Sequence, residues 1–256
     1  MLHRIETPPG ARIDTLSGNF IIFQPESGQR YTTDDILAAW LSVQTFKEFY
    51  PHEKSFLDLG SGLCSVPMIL LWAFPDLKGV GIEIRGRRLF LGAKSNAANG
   101  LTPRFDLIQG DIRQVRLRKK FPAVTSSPPY YEKHEGPISS NSDKAAVRFE
   151  LHGAIEDYCS AASDHLEEGG FFTTVYPYRY AARVFAAAKK NDLHLKRRID
   201  IVPKQTKAPH ISLFTFCKGI RCSTRMETLT VRNQEQSFTD AFRKIRAELG
   251  FPDRTG

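Results

Sequence analysis

The chain contains no run of the roughly 18 to 20 uninterrupted apolar residues that a membrane-spanning helix requires. Its first nine residues hold Arg4, Glu6, Pro8 and Pro9 and no apolar signal core, so a soluble, cytoplasmic protein is expected. Cysteine is scarce. Cys64, Cys159, Cys217 and Cys222 form no C-x-x-C pair and have no histidine partners at zinc-site spacing, which predicts free, mostly buried thiols. The histidines include no H-E-x-x-H or related pattern, so no metal is expected. Internal repeats, low-complexity tracts and long linkers are also missing.

What remains is a chain of 256 residues with 41% apolar content, enough to bury a full core within one domain. The formal net charge is +8. Basic clusters lie at Arg85, Arg87 and Arg88, from Arg113 through Lys120, at Lys189 and Lys190, and from Lys196 to Arg198. Each cluster by itself is an ordinary solvated surface, but the balance suits a polyanionic partner such as nucleic acid.

The apolar pattern alternates strand and helix. Phe20 to Gln24 reads as a strand closed by the turn Pro25-Glu26-Ser27-Gly28. Thr33 and Asp34 are cap candidates for a helix that Pro51 stops. Strands are then predicted at 55–59, 78–84, 105–109 and 123–126, with helices at 66–74 and 87–99 between them. A long helix is predicted over 145–166, ending at Gly169-Gly170, followed by a strand at 171–176 and a helix at 180–191. Strands at 195–202 and 211–217, an edge strand at 226–231 and a last helix bearing Phe238, Phe242, Ile245 and Leu249 complete the reading. This alternation implies a mostly parallel α/β sheet covered on both faces, with ligands at the carboxyl ends of the strands.

Two motifs carry chemistry. Gly60 and Gly62 lie between a predicted strand and helix, where backbone and a helix N-terminus can approach a ligand. The third glycine of a dinucleotide fingerprint is replaced by Ser65, and Asp58 before the turn favours a cationic ligand over a pyrophosphate. S-adenosylmethionine, with its amino group and sulfonium, fits better than a nicotinamide cofactor. Glu83 and Asp111 follow the next two strands. Glu83 is placed to accept hydrogen bonds from ribose hydroxyls, and Asp111 to take an adenine amino group while Ile112 packs on the ring.

The second motif is Ser127-Pro128-Pro129-Tyr130. An exocyclic amine on a nucleobase is a poor nucleophile because its lone pair is delocalised into the ring. Two acceptors, the Ser127 side chain and the Pro128 carbonyl, can draw it toward tetrahedral geometry. Paired prolines keep that carbonyl aimed, and Tyr130 offers a face for a flipped base. The segment Glu132 to Asp143, rich in Ser, Gly, Pro and Asn, reads as a lid.

These residues, with Gln24-Pro25, Gly28 through Asp34, Gly110-Asp111, Ser126 through Tyr131, Arg148 with Glu150, Gly169-Gly170, and Pro177 with Arg179, resemble the class I S-adenosylmethionine-dependent amino methyltransferases. The branch resembled is that of the bacterial tRNA1(Val) (adenine-37-N6)-methyltransferases. The resemblance covers most of the chain. It implies a Rossmann-like, seven-stranded, mostly parallel sheet with helices on both faces and an antiparallel last strand. It also implies S-adenosyl-L-methionine as cofactor, a segment bearing Arg30 and Thr33 closing over it, and a tRNA substrate methylated at adenine N6. The expected organisation is an N-terminal strand, turn and helix (1–53) packed over the cofactor site, the methyltransferase core (54–220), and a C-terminal strand and helix (221–256) of the same domain. A monomer is expected. The family motif begins with Asn or Asp, whereas this chain has Ser127. The serine form resembles DNA cytosine-N4 methyltransferases, which are longer and often carry the two motifs in the opposite order. Similar motifs also present glutamine side chains in release-factor methyltransferases. Ser127 and Cys64, the latter where relatives place a third glycine, also admit a non-catalytic RNA-binding scaffold.

Overall fold

Phe121-Pro122-Ala123-Val124-Thr125-Ser126 is buried along its whole length, the signature of a central strand covered on both faces. In a computed structural model, which describes residues 6–50, 52, 55–129 and 153–252, this segment (β6) lies in the middle of an eight-stranded sheet.

An N-terminal hairpin pairs β1 (Ala11–Thr15) with β2 (Ile21–Pro25), and the sequence reading missed its first strand. The main sheet comprises β3 (Ser55–Leu59), β4 (Lys78–Glu83), β5 (Phe105–Gln109), β6, β7 (Leu166–Pro177), β8 (Leu193–Lys204), β9 (Ile211–Lys218) and β10 (Arg225–Arg232). Its order is β10-β8-β9-β7-β6-β3-β4-β5, and only β9 runs antiparallel to its neighbours β7 and β8. The helices are α1 (Thr33–Phe49), α2 (Ser65–Ala73), α3 (Gly86–Ala98), α4 (Ile155–His165), α5 (Ala181–Lys190) and α6 (Asp240–Glu248).

Three expectations are corrected. The sheet has eight strands rather than seven, because β10 adds to β8 in parallel beyond the expected edge. Gly169 and Gly170 do not end a helix. The chain leaves α4 at His165 and enters β7 at once, and the glycines lie inside that strand because a Cβ on Gly170 would meet the Glu167 and Pro122 carbonyls near 3 Å. Helix α4 begins at Ile155, after Gly153 with its positive φ (132°) and extended Ala154, and residues 145–152 of the long helix expected over 145–166 lie outside the described residues.

Alternation along the strands sorts the core onto two faces. Phe56, Val175, Ile199 and Leu213 join α1, α2 and α6 on one side. Leu57, Leu59, Val124, Phe172 and Phe214 join α4 and α5 on the other. Helix α2 is apolar nearly all round because it is buried between α1 and the sheet. Arg104 secures its far end by donating to the carbonyls of Leu71, Phe74, Pro75 and Leu77 at 2.7–3.3 Å. Helix α6 docks on α1 through Glu248, which accepts from Trp40, Gln44 and Lys47. Cys64, Cys159 and Cys217 are buried and free, and Cys222 is half-buried. Among the described residues no helix is long and apolar enough to cross a membrane, and no cluster of His, Cys, Asp or Glu is arranged to hold a metal.

The fold positions the site through one topological fact. Strand β3 pairs with β4 on one side and β6 on the other, both in parallel, so the chain's connections diverge there. The carboxyl ends of these strands, at Leu59, Glu83 and Ser126, open on a shared crevice.

Candidate active site

Strand β3 ends in a turn that its own sequence dictates. Gly60 (φ 70°) and Gly62 (φ 56°) adopt left-handed conformations that cost glycine little. At Gly60 a side chain is also excluded by space, because a Cβ would lie 2.5 Å from the Tyr158 hydroxyl. The amides of Gly60 and Ser61 bond to the Ile82 carbonyl, pinning the turn to β4. Cys64 is also left-handed (φ 66°), as the cap before α2. Its side chain fits because position 92, opposite, is glycine. A Cβ there would sit 2.5 Å from the Cys64 sulfur.

Asp58 is buried, and its Oδ1 accepts a 2.5 Å hydrogen bond from Thr125, its register partner on β6. Burial raises its carboxyl to about 7, with the Thr125 and Ser61 hydroxyls opposing the rise and Asp35 and Glu83 adding to it. Glu83 is also buried. Its two oxygens accept the amides of Gly62 and Arg85, each at 2.8 Å. The Arg85 guanidinium also stands 3.5 Å from Oε1, so Oε2 keeps the freer acceptor lobe for a ribose hydroxyl. Ile112 lines the same part of the crevice with Gly110 and Tyr158. The Asp111 carboxylate is forked by Arg113 at 2.5–3.1 Å, so an adenine amino group would have to share it.

Ser127, Pro128 and Pro129 continue from β6 into this crevice, opposite Gly60 and Gly62. Ser127 is half-buried, and its hydroxyl lies close enough to Asp35 of α1 to help lower that carboxyl. Sequence reasoning had not selected Asp35. The helix start is an S/T-x-x-D capping box one residue earlier than expected. Thr32 caps Asp34, and Asp35 Oδ2 accepts the Thr32 amide at 2.8 Å. The cap therefore belongs to Thr32, and the pattern Thr32-x-x-Asp35 was the available signal. Arg30 and Thr32 line the crevice. Thr33 does not; it is exposed and faces a neighbouring hollow beside Arg232 and Phe238, because one residue along a helix turns the side chain by about 100°. Tyr130, the segment 132–143, Arg148, Glu150, His134 and His152 lie outside the described residues.

Arg88 of α3 was also missed, since nothing in sequence brings it to the turn. It lies against Gly62 and donates to the Gln29 carbonyl at 3.1 Å. Burial lowers its guanidinium to about 10, so it stays charged at neutral pH. Its Nε is buried with no hydrogen-bond partner among the described residues. The crevice thus offers a carboxylate at Asp58, an unsatisfied cationic donor at Arg88 and two glycines allowing close approach. That donor set matches the ammonium and carboxylate of the amino-acid end of S-adenosylmethionine, and Glu83 with Ile112 matches its adenosine end.

Solved structures share this architecture. A predicted O-methyltransferase from Agrobacterium tumefaciens superposes with a TM-score of 0.65 at 17% identity, covering 87% of this chain and 100% of that one. A putative class I S-adenosylmethionine-dependent methyltransferase from Listeria monocytogenes gives 0.57 at 18% identity, covering 88% and 73%. The fold is that of a class I S-adenosylmethionine-dependent methyltransferase. Within that class I fold, the sequence resembles proteins named tRNA1(Val) (adenine(37)-N6)-methyltransferase. The one from Bacteroides thetaiotaomicron is 24% identical over 231 residues, covering 90% of this chain and 93% of the relative. That from Mannheimia succiniciproducens is 26% identical over 230 residues, covering 87% and 88%. No protein-family model matches the chain.

Proposed function

We propose that the protein is an S-adenosylmethionine-dependent N-methyltransferase that modifies an exocyclic amino group of a nucleobase in RNA, the N6 of an adenine in cytoplasmic tRNA. The observation that carries this reading is the shared crevice. The Ser127-Pro128-Pro129 segment faces the glycine turn and Asp58 within one cavity of about 830 Å³, mouth included.

Asp58 and Arg88 hold the two charges of the cofactor's amino-acid end, Glu83 its ribose hydroxyls, and Ile112 its adenine face. When bound, the cofactor supplies an electrophilic methyl carbon. The Ser127 oxygen and the Pro128 carbonyl grip the target amine and turn its lone pair toward that carbon. Rigid prolines keep the carbonyl in place, so most of the rate comes from orientation. Tyr130, next in sequence, supplies the face on which a flipped base stacks. The net charge of +8 and the two tRNA-methyltransferase relatives support RNA as the acceptor.

The test uses purified protein, labelled cofactor and bulk RNA. Label should enter RNA, be released by ribonuclease and resist protease, with N6-methyladenosine in the digested nucleosides. Label released by protease would assign a glutamine acceptor, and label transferred to DNA a DNA acceptor. If saturating S-adenosylmethionine leaves the melting temperature unchanged, the protein is a scaffold that binds no cofactor.

A further inference from the structure

The serine that opens the acceptor motif has a weakness. A free hydroxyl can rotate and point its own proton at the substrate amine, where it would compete for the lone pair needed for attack. Here a carboxylate stands beside the hydroxyl in the same crevice. Asp35 is the third residue of α1, its Oδ2 is tied to the Thr32 amide at 2.8 Å, and the Ser127 hydroxyl acts on the same carboxyl, lowering it. Both residues line the crevice that also contains Gly60, Gly62 and Asp58.

We propose that Asp35 is a positioning residue that acts through Ser127, fixing the hydroxyl proton away from the substrate so that the serine oxygen can accept from the target amine, and then receiving that amine's proton. The inference rests on the methyl-transfer reading above. The balance is complete without another reactant. The nitrogen–carbon bond forms as the sulfur–carbon bond breaks, and that bond's electron pair stays on sulfur. One proton leaves the methylated nitrogen for the Ser127 oxygen, while the serine's own proton passes to Asp35 and later to solvent. A neutral N-methyl base and a neutral thioether remain.

The surroundings suit such an acceptor. Burial lifts the Asp35 carboxyl to about 6, against the lowering effect of the Thr32 amide. Asp34 on the same helix raises it further, while Arg88 of α3 and the Ser127 hydroxyl lower it. Asp58 of β3 also faces it, and Arg30 lines the same crevice. The group is ionised at neutral pH yet more basic than a solvated aspartate. A longer amide or carboxylate at position 127 would reach the amine unaided. Serine with a carboxylate behind it is a two-residue equivalent.

The decisive variant is Asp35→Asn, whose amide oxygen can still accept the Thr32 amide and keep the helix start intact. At saturating cofactor, kcat on RNA should fall at least tenfold. KM for RNA and the cofactor Kd should stay within threefold, and the acidic limb of the kcat profile near pH 6 should vanish. In a Ser127→Asn background, where the acceptor no longer depends on a partner, the same replacement should cost under threefold. Independently of activity, carbon-13 NMR of the aspartate carboxyls should show the Asp35 midpoint rising in Ser127→Ala. If the parent protein methylates RNA but Asp35→Asn keeps both kcat and the acidic limb, or if that midpoint does not move, the inference is wrong and the methyltransferase reading stands. A parent protein that transfers label to no acceptor removes both.

Discussion

Cofactor affinity should depend steeply on pH, because the carboxylate proposed to meet the cofactor's ammonium is only half-ionised at neutrality. Asp58 is buried beneath the glycine turn and titrates near 7. Ionised, it offers a full negative charge to the ammonium; protonated, it offers a neutral donor that must be deprotonated first. A group titrating at 7 is about 90% ionised at pH 8 and about 10% at pH 6, and apparent Kd scales inversely with the competent fraction. S-adenosylmethionine should therefore bind about tenfold more weakly at pH 6 than at pH 8, a difference of about 1.4 kcal/mol. Titration calorimetry at three pH values, in buffers of differing ionisation enthalpy, should also detect about three-quarters of a proton released per cofactor bound near pH 6.5. The folding linkage has the opposite sense. Because the folded carboxyl lies above its unfolded value near 3.8, its stabilising proton uptake is fully present below pH 4 and is lost as pH rises through 7. Asp58→Asn keeps an oxygen for Thr125 and removes the buried charge, so at pH 8 it should raise stability, on the order of 2–4 kcal/mol, while abolishing tight cofactor binding. A flat Kd between pH 6 and 8, or a variant that binds normally, would refute the assignment of Asp58 to the ammonium.

Two further predictions concern the scaffold beneath the site. Gly92→Ala would drive a methyl group into the Cys64 sulfur and should cost about 1–3 kcal/mol in chemical denaturation, with most of the loss restored by adding Cys64→Gly. If the double variant is no more stable than Gly92→Ala alone, the contact is not the cause. Arg104→Met strips the donors from the carbonyls beyond α2 and should cost about 1–3 kcal/mol with kcat little changed, as measured by thermal unfolding beside the RNA assay. A variant with native stability would show that water replaces the guanidinium.

Much of the fold was written in local pattern. Apolar runs such as those ending at Leu59 and Ser126 are long enough only for strands, and the helical spacing from Ile36 onward is unambiguous, so element type and order could be read directly. Gly169 and Gly170 misled that reading because glycine usually ends a helix. Here a Cβ at Gly170 would meet the nearby Glu167 carbonyl at 2.8 Å and crowd the Pro122 carbonyl of the neighbouring strand at 3.1 Å, and the second of these contacts is made by a residue far away in sequence. The tenth strand was legible, but its place in the sheet was not, since pairing with β8 is decided by which edge is free once the other strands have assembled.

By itself the sequence determined the chemistry on offer: a glycine turn after an acid, acids after successive strands, and a paired-proline motif opened by serine. Those are properties of consecutive residues, and consecutive residues share a turn or a strand end whatever else the chain does. Tertiary structure alone decided which distant groups complete the site. Asp35 reaches Ser127, Arg88 reaches Gly62, and Thr125 bonds Asp58 across 67 residues, because parallel pairing of β3 with β6 brings two strand ends and two helix starts to one crevice. Periodicity is silent on such meetings: they depend on strand order and register, which are set by burial of the whole sheet rather than by any local preference.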